Sequence, residues 1–282
     1  MSTTELDSRW IEGWFSTSDG TKLHYAEVGE GTPVILIHGA GGSAIGNWFI
    51  NGIAPALAPT NRVIGIDMRA HGLSEAGPEG GRQHMAADVI EFMDQQGIQR
   101  AHIGGYSMGG FVTAGIMAAA PERFITAHFG GSGLAETEEW EDKVPADKEG
   151  TAPDEASAQA AYRNNRAAPG REVGNAGPAT PRPAATAAMS EADRQMFRTR
   201  QRALADSINL PAIKFPVLAV NGEYDRPLAK THRLWRELSE FTNVVLPGKG
   251  HLSAVMKDFI PQQYVDVLVA FITTHNPPRT GA

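Results

Sequence analysis

The chain has 282 residues, 41% hydrophobic and 20% charged, with a formal net charge of −7 and a pI near 5.7. This composition suits a soluble globular protein with one large core, and its acidity argues against nucleic acid or an anionic membrane as the main partner. The absence of cysteine excludes disulfides, thiolate nucleophiles and cysteine-ligated metals, and fits a cytoplasmic location. Residues Met1–Trp10 are polar and mixed in charge, without the basic-then-apolar pattern of a secretory signal. No apolar run approaches the roughly 20 residues of a membrane span.

Phe15 to Val28 reads as a hairpin. Ser18-Asp19-Gly20 forms the turn, and Lys22-Leu23-His24-Tyr25 alternates behind it. Pro33-Val34-Ile35-Leu36-Ile37 is a continuous apolar run, as in a parallel strand buried on both faces. It ends at His38-Gly39-Ala40-Gly41-Gly42-Ser43. That cluster lacks the spacing of a dinucleotide fingerprint and the lysine of a phosphate loop. The remaining reading is a His-Gly turn that presents a backbone N–H to a developing oxyanion. Ala40 is the expected donor, with Gly41 as the alternative, and His38 is expected to stabilise the turn.

Ile45 to Leu57 carries Trp48, Phe49, Ile53 and Leu57 at helical spacing, and Val63-Ile64-Gly65-Ile66 follows as a strand. In the loop Asp67–Ser74, Asp67 and Arg69 are expected to brace neighbouring loops rather than to do chemistry. Gln83 to Met93 is an amphipathic helix closed by Gly97.

Ala101-His102-Ile103 then leads into Gly104-Gly105-Tyr106-Ser107-Met108-Gly109-Gly110, and a small-residue helix runs from Phe111 to Ala120. Strand, tight turn and helix with a serine at the apex is the context that a G-x-S-x-G nucleophile elbow requires. The strained turn thrusts the serine outward, and glycines before and after it remove side chains that would collide. The N–H of Met108, at the start of the helix, is left without an intrahelical partner and is favoured to face negative charge.

Phe124–Phe129 is the next strand. From Leu134 to Ile208 the composition changes. Glu136–Lys148 is acidic, and Thr151–Met189 is rich in Ala, Pro and Gly, too long for an ordinary loop. Helices are expected at Asp154–Asn165 and Ser190–Ala205, the second with Ser190 and Asp193 as a capping box, around a loose middle at Gly170–Pro183. The domain reading is therefore a core of residues 1–133 and 209–282 interrupted by a lid or cap at 134–208. Phe215–Val220 is a strand ending at Asn221-Gly222-Glu223-Tyr224-Asp225. Leu228–Phe241 is a helix, Thr242–Leu246 the last strand, followed by Pro247-Gly248-Lys249-Gly250-His251, and Phe259–Ile272 a closing helix.

Ser107, Asp225 and His251 each fall just past the end of an expected parallel strand. Side chains at that edge of a sheet converge. Asp225 has a rival acid in Glu223. The remaining histidines form no H-E-x-x-H pattern, and no metal is expected.

The segments His38-Gly39, Asp67-Met68-Arg69, Gly105–Gly110, Gly222–Asp225 and Gly250-His251, in that order, resemble the α/β hydrolases, in the group of bacterial esterases, perhydrolase-like enzymes and meta-cleavage C–C hydrolases. Arg69-Ala70-His71-Gly72 departs from the commoner Arg-Gly. The resemblance implies a mostly parallel sheet with helices on both faces, a Ser107–His251–Asp225 triad, and an oxyanion hole from Ala40 and Met108. Gly39, Gly41 and Tyr106 are expected at the substrate. The serine sets the chain apart from the epoxide hydrolases and dehalogenases of this fold, which need an aspartate nucleophile at the elbow. The implied activity is hydrolysis of an ester of small or medium acyl chain, with no cofactor, a small-molecule substrate, and neither nucleic acid nor membrane as partner. A C–C hydrolase, perhydrolase or lactonase using the same triad, and a non-catalytic binding protein, are the alternatives. Arg69, Arg163, Arg166 and Arg194 are the candidate cations for an acidic C–C substrate.

Overall fold

The computed structural model describes residues 10–78, 81–167 and 190–278. Among them, eight strands form one sheet: β1 (Ile11–Ser16), β2 (Lys22–Val28), β3 (Thr32–Ile37), β4 (Asn61–Ile66), β5 (Ala101–Tyr106), β6 (Phe124–Gly130), β7 (Val217–Gly222) and β8 (Phe241–Leu246). The order across the sheet is β1-β2-β4-β3-β5-β6-β7-β8. β1 and β2 pair antiparallel, as the hairpin pattern predicts, and β2 meets β4 antiparallel; every other pairing is parallel. The helices are α1 (Ile53–Leu57), α2 (Met85–Gln95), α3 (Met108–Ala119), α4 (Glu155–Ala167), α5 (Glu191–Asp206), α6 (Pro227–Glu237) and α7 (Gln262–Thr274).

The apolar runs explain the sheet. β5 and β7 are buried at every residue, as strands covered on both faces must be. One face packs Ile35, Ile37, Ile64 and Ile103 against Val89 and Phe92 of α2 and Val112 and Ile116 of α3. The other packs Val34, Leu36 and Val220 against Ile53 and Leu57 of α1 and Leu268 and Ile272 of α7.

Chain order along the sheet reverses between β3 and β5, since β4 lies on the far side of β3. Loops leaving such a pair of strands diverge to opposite faces and open a crevice at their C-terminal ends. The turns at His38 and Ser107 lie there.

Local departures from the expected elements have local causes. The run Ile45–Leu57 is two pieces, a π-helical turn at Ile45–Phe49 and α1, because Gly52 at φ 93° breaks the hydrogen-bond ladder. Trp48, Phe49, Ile53 and Leu57 are nonetheless all buried. α7 begins three residues later than expected because Pro261 is extended at its N-cap. α2 ends as expected at Gly97, at φ 67°, where Gly97 N–H reaches Asp94 O at 3.1 Å and Ile98 N–H reaches Met93 O at 2.8 Å. That is the Schellman closure. The expected loose middle at Gly170–Pro183 and residues 1–9 of the polar start Met1–Trp10 lie outside the described residues, as does the side chain of Asp193 in the expected capping box.

Candidate active site

Ser107 sits between β5 and α3 at φ 53°, ψ −110°. This is neither a helical nor an extended conformation, and such residues cost about 1–3 kcal/mol that the surroundings must supply. The Ser107 N–H donates to Gly130 O at 2.8 Å, and Gly110 N–H donates back to Ser107 O at 3.0 Å. The glycines are needed for closeness: a Cβ on Gly105 would lie 2.3 Å from the Gly109 carbonyl carbon, and one on Gly109 would lie 2.1 Å from Ile37 O.

His251 Nε2 lies 2.9 Å from Ser107 Oγ, and its Nδ1 lies 2.7 Å from Asp225 Oδ2. The three side chains anticipated from chain order therefore meet. With Nδ1–H donated to the carboxylate, Nε2 is left to accept from the serine hydroxyl. Burial works against the charge of Asp225, but the hydrogen bond and charge of His251 and the neighbouring Lys230 hold its carboxyl below the usual range. The rival Glu223 faces away. It accepts from Gly248 N–H at 2.9 Å and pairs with Lys148 at 2.9 Å.

The His38 turn is held by three bonds. His38 Nε2 accepts the Met68 N–H at 3.0 Å, so Nδ1 carries the proton and donates to Gly39 O at 2.8 Å. Gly42 N–H also donates to Gly39 O, at 3.0 Å. In a trans peptide this turns the Ala40 N–H the opposite way. The Gly39 N–H is taken by Asn47 Oδ1 at 2.8 Å, so Gly39 is not a donor to a ligand. A Cβ on Gly39 would lie 3.5 Å from Ser107 Cβ, which places this turn directly against the serine, and Gly41 follows at φ 72°. Among the described residues neither Ala40 N–H nor Met108 N–H donates to another group of the protein.

Tyr106 is a correction. It is expected at the substrate, yet it is buried and its hydroxyl donates to the backbone carbonyl of His251. Its neighbour in sequence points out, and alternation along β5 sends Tyr106 inward. Tyr106 is a floor beneath the imidazole, the rings 5.5 Å apart.

Asp67 and Arg69 brace loops, as anticipated. Asp67 accepts Ala44 N–H at 2.6 Å and Leu73 N–H at 2.9 Å and pairs with His24 at 3.0 Å. Arg69 forks onto both oxygens of Asp88 at 2.6 and 2.7 Å and reaches Asp19 at 2.6 Å. Its guanidinium is thereby committed away from the crevice. Arg163 is exposed on α4, and the side chains of Arg166 and Arg194 lie outside the described residues.

Three groups at the site carried no sequence signal. Lys230 of α6 lies 2.6 Å from Asp225 Oδ1. Glu155, the first residue of α4, accepts Leu252 N–H at 2.8 Å and Ser253 N–H at 3.0 Å, while Asp154 pairs with Lys249 at 2.6 Å. Tyr162, two turns along α4, donates to Ala40 O. One helix of the 134–208 segment thus grips both the loop of His251 and the turn of Ala40. Asn47 also carried no signal, since Asn51 stands in the same run.

Ser107 and His251 open into a cavity of about 960 Å³. Phe111, Leu134, Val144, Pro145 and Ala146 line its apolar part, and Phe197 of α5 packs edge-on against Phe111 at 5.6 Å. Among the described residues no group of three or more His, Asp or Glu converges as a metal site would require, and no helix is long and apolar enough to cross a membrane.

A serine raised on a strained strand-to-helix turn, hydrogen-bonded through histidine to aspartate at the C-terminal edge of a mostly parallel sheet, defines a class of α/β protein built for nucleophilic chemistry. The chain belongs to the α/β hydrolase fold family, whose model matches residues 32–257. It is 39% identical over 107 residues to a dihydrolipoyllysine-residue acetyltransferase component of the acetoin cleaving system of Pseudomonas putida, covering 37% of this chain and 28% of that one. It is 36% identical over 92 residues to esterase YbfF of Escherichia coli, covering 33% and 35%. A 2-hydroxy-6-oxo-6-phenylhexa-2,4-dienoate hydrolase of Comamonas testosteroni is 36% identical over 105 residues, covering 36% of each. The match thus spans about a third of the length of these relatives. Among solved structures, a meta-cleavage product hydrolase of Pseudomonas fluorescens IP01 superposes with a TM-score of 0.64 at 21% identity, covering 92% of this chain and 96% of that one. At that identity the likeness is one of fold.

Proposed function

We propose that the protein is a serine hydrolase that cleaves carboxylic esters of small or medium acyl chain through an acyl-enzyme. The observation that carries this reading is the hydrogen-bonded run from Ser107 Oγ to His251 Nε2 at 2.9 Å and from His251 Nδ1 to Asp225 at 2.7 Å, on a strained elbow. In the proposed reaction Ser107 Oγ attacks the ester carbonyl as His251 Nε2 takes its proton. Asp225 holds the imidazole in its Nδ1–H tautomer and stabilises the imidazolium. The tetrahedral oxyanion is met by the N–H groups of Met108 and Ala40, neither of which donates to another group among the described residues. Each such donor is worth about 3–4 kcal/mol of transition-state stabilisation. The imidazolium returns its proton to the leaving alkoxide, and the ester bond breaks. Water, deprotonated by the same histidine, then releases the acid and restores Ser107.

The apolar wall of Phe111, Leu134 and Val144 suits an acyl chain, and the similarity to an esterase supports the reading. The C–C hydrolase alternative requires a cation for an acidic substrate. Arg69 is already held by Asp88 and Asp19, whereas Arg198, Arg202 and Arg226 line the cavity, so an acidic substrate stands as the second reading. The test is hydrolysis of p-nitrophenyl esters from acetate to long acyl chains, by the wild type and by Ser107→Ala. Turnover that peaks at short or medium chains and disappears in the variant is expected. Comparable turnover by a folded Ser107→Ala protein would remove Ser107 from its role.

A further inference from the structure

Asp225 has two oxygens and two partners. Oδ2 faces His251 Nδ1 at 2.7 Å, and Oδ1 faces the Lys230 ammonium at 2.6 Å. Lys230 also donates to Gly131 O at 3.1 Å, so its head is fixed on two sides within the loop that follows β6. Its backbone is anchored separately, by Leu134 N–H to Lys230 O at 3.0 Å. A carboxylate clamped by a cation on one oxygen cannot rotate away from the imidazole on the other. It also shares its negative charge with that cation, and so supports an imidazolium less than a lone aspartate would.

We propose that Lys230 is a positioning residue of the triad, fixing the Asp225 carboxylate against His251 and neutralising part of its charge. The proposal rests on the serine hydrolase reading of the same site. Two successive contacts of 2.6 and 2.7 Å place the ammonium within about 7 Å of the ring, where an effective dielectric of about 20 moves a titration by between about one and two pH units. Among the described residues, the other charged or titratable groups around the pair are Tyr224 and Arg226 on either side of Asp225, Asp147 at the N-terminus of α6, Lys249 before His251, Glu155 of α4 against the loop after it and Tyr106 beneath it. All stay in place when Lys230 alone is changed, so a difference between variants reports on Lys230. Burial draws the pKa of Lys230 down against the pull of Asp225. Its charge is therefore most secure at neutral and acidic pH, where the acid limb is read.

The test compares wild type, Lys230→Met and Lys230→Arg. The acid limb of kcat/KM on the best p-nitrophenyl ester is measured beside an NMR titration of the His251 imidazole, which needs no substrate. The expected result is a limb and a titration displaced upward by about one unit or more in Lys230→Met, and both returned to the wild-type position in Lys230→Arg. A purely structural lysine would lower activity without moving either midpoint. A folded Lys230→Met protein whose titration shifts by less than about 0.3 unit overturns the proposal. If Lys230→Met does not fold, Lys230→Gln is judged by the same criterion. An enzyme with no ester turnover but a shifted His251 titration would reject the ester reading and keep Lys230 in its place.

Discussion

Replacing Glu155 with alanine tests whether the inserted segment supports the site from outside the core. The Glu155 carboxylate accepts two consecutive backbone N–H groups, from Leu252 at 2.8 Å and Ser253 at 3.0 Å, immediately after His251. Hydrogen bonds to a charged acceptor contribute about 1.5–3 kcal/mol each. The side chain is only half-buried, so water recovers part of the loss, and a total of about 2–3 kcal/mol is expected. For a chain of this size that corresponds to a melting point lowered by roughly 3–5 °C. The functional loss follows from geometry. A loop free to drift by about 1 Å moves Nε2 off Ser107, and misplacement of that order costs about 10²-fold. The assays are thermal melting, kcat/KM on the best ester, and amide exchange at Leu252 and Ser253. Glu155→Ala should exchange faster at those two amides, melt lower and lose between about 10- and 100-fold in kcat/KM. Unchanged exchange and unchanged activity would refute the idea that α4 holds the histidine loop.

Asp225→Asn should keep the fold and lower kcat by about 10³–10⁴, because an amide can donate to Nδ1 and favour the wrong tautomer; steady-state kinetics checks this. Gly105→Ala should abolish turnover and sharply reduce soluble yield, since its Cβ would meet the Gly109 backbone at 2.3 Å with no flexible atom to yield; expression and circular dichroism report it. Stability should peak near neutral pH. His102 and His128 are buried and neutral, with burial pushing them down to about 4 and about 3. Their pKa values are depressed, so the unfolded chain binds more protons below about 6.5, and stability falls as pH drops from there. His24 is the opposite case. Burial opposes its charge, but Asp67 and Glu12 raise its pKa, so its contribution is full below about 6.5 and is lost as pH rises through the folded value. Urea unfolding between pH 4 and 9 should therefore show a maximum between these losses, and His24→Gln should flatten the alkaline side.

The triad was legible because its members are tied to strand ends. Apolar runs mark β5 and β7, the glycines around Ser107 mark the turn, and chain order did the rest. Asp67 and Arg69 were legible as braces for a similar reason, each standing in a polar loop at the mouth of a buried strand. Tyr106 stands inside the motif, but as the last residue of β5 it points into the core, and the motif alone does not carry that direction. Glu155, Tyr162 and Lys230 were illegible for another reason. Their roles depend on where two helices land on the sheet edge, and neither spacing nor periodicity carries that information. Glu155 and Tyr162 look like any polar residues of an Ala-rich helix, and Lys230 like any surface lysine of an amphipathic one.

The same distinction separates what makes the site reactive from what holds it in register. The strain at Ser107 is sustained by the sheet itself, through the bond to Gly130 O and the contact of Gly109 with Ile37. Histidine and aspartate instead sit on loops that the core does not fix alone. Asp225 is held from α6 by Lys230, and the loop of His251 is held from α4 by Glu155. α4 also carries Tyr162 to Ala40, so a displacement of this one helix would disturb the His251 loop and the Ala40 turn together. α4 therefore helps to hold the site in register. Substitutions that alter its packing should change kcat as well as KM, whereas those confined to the Phe111–Phe197 contact should act chiefly on acyl-chain preference.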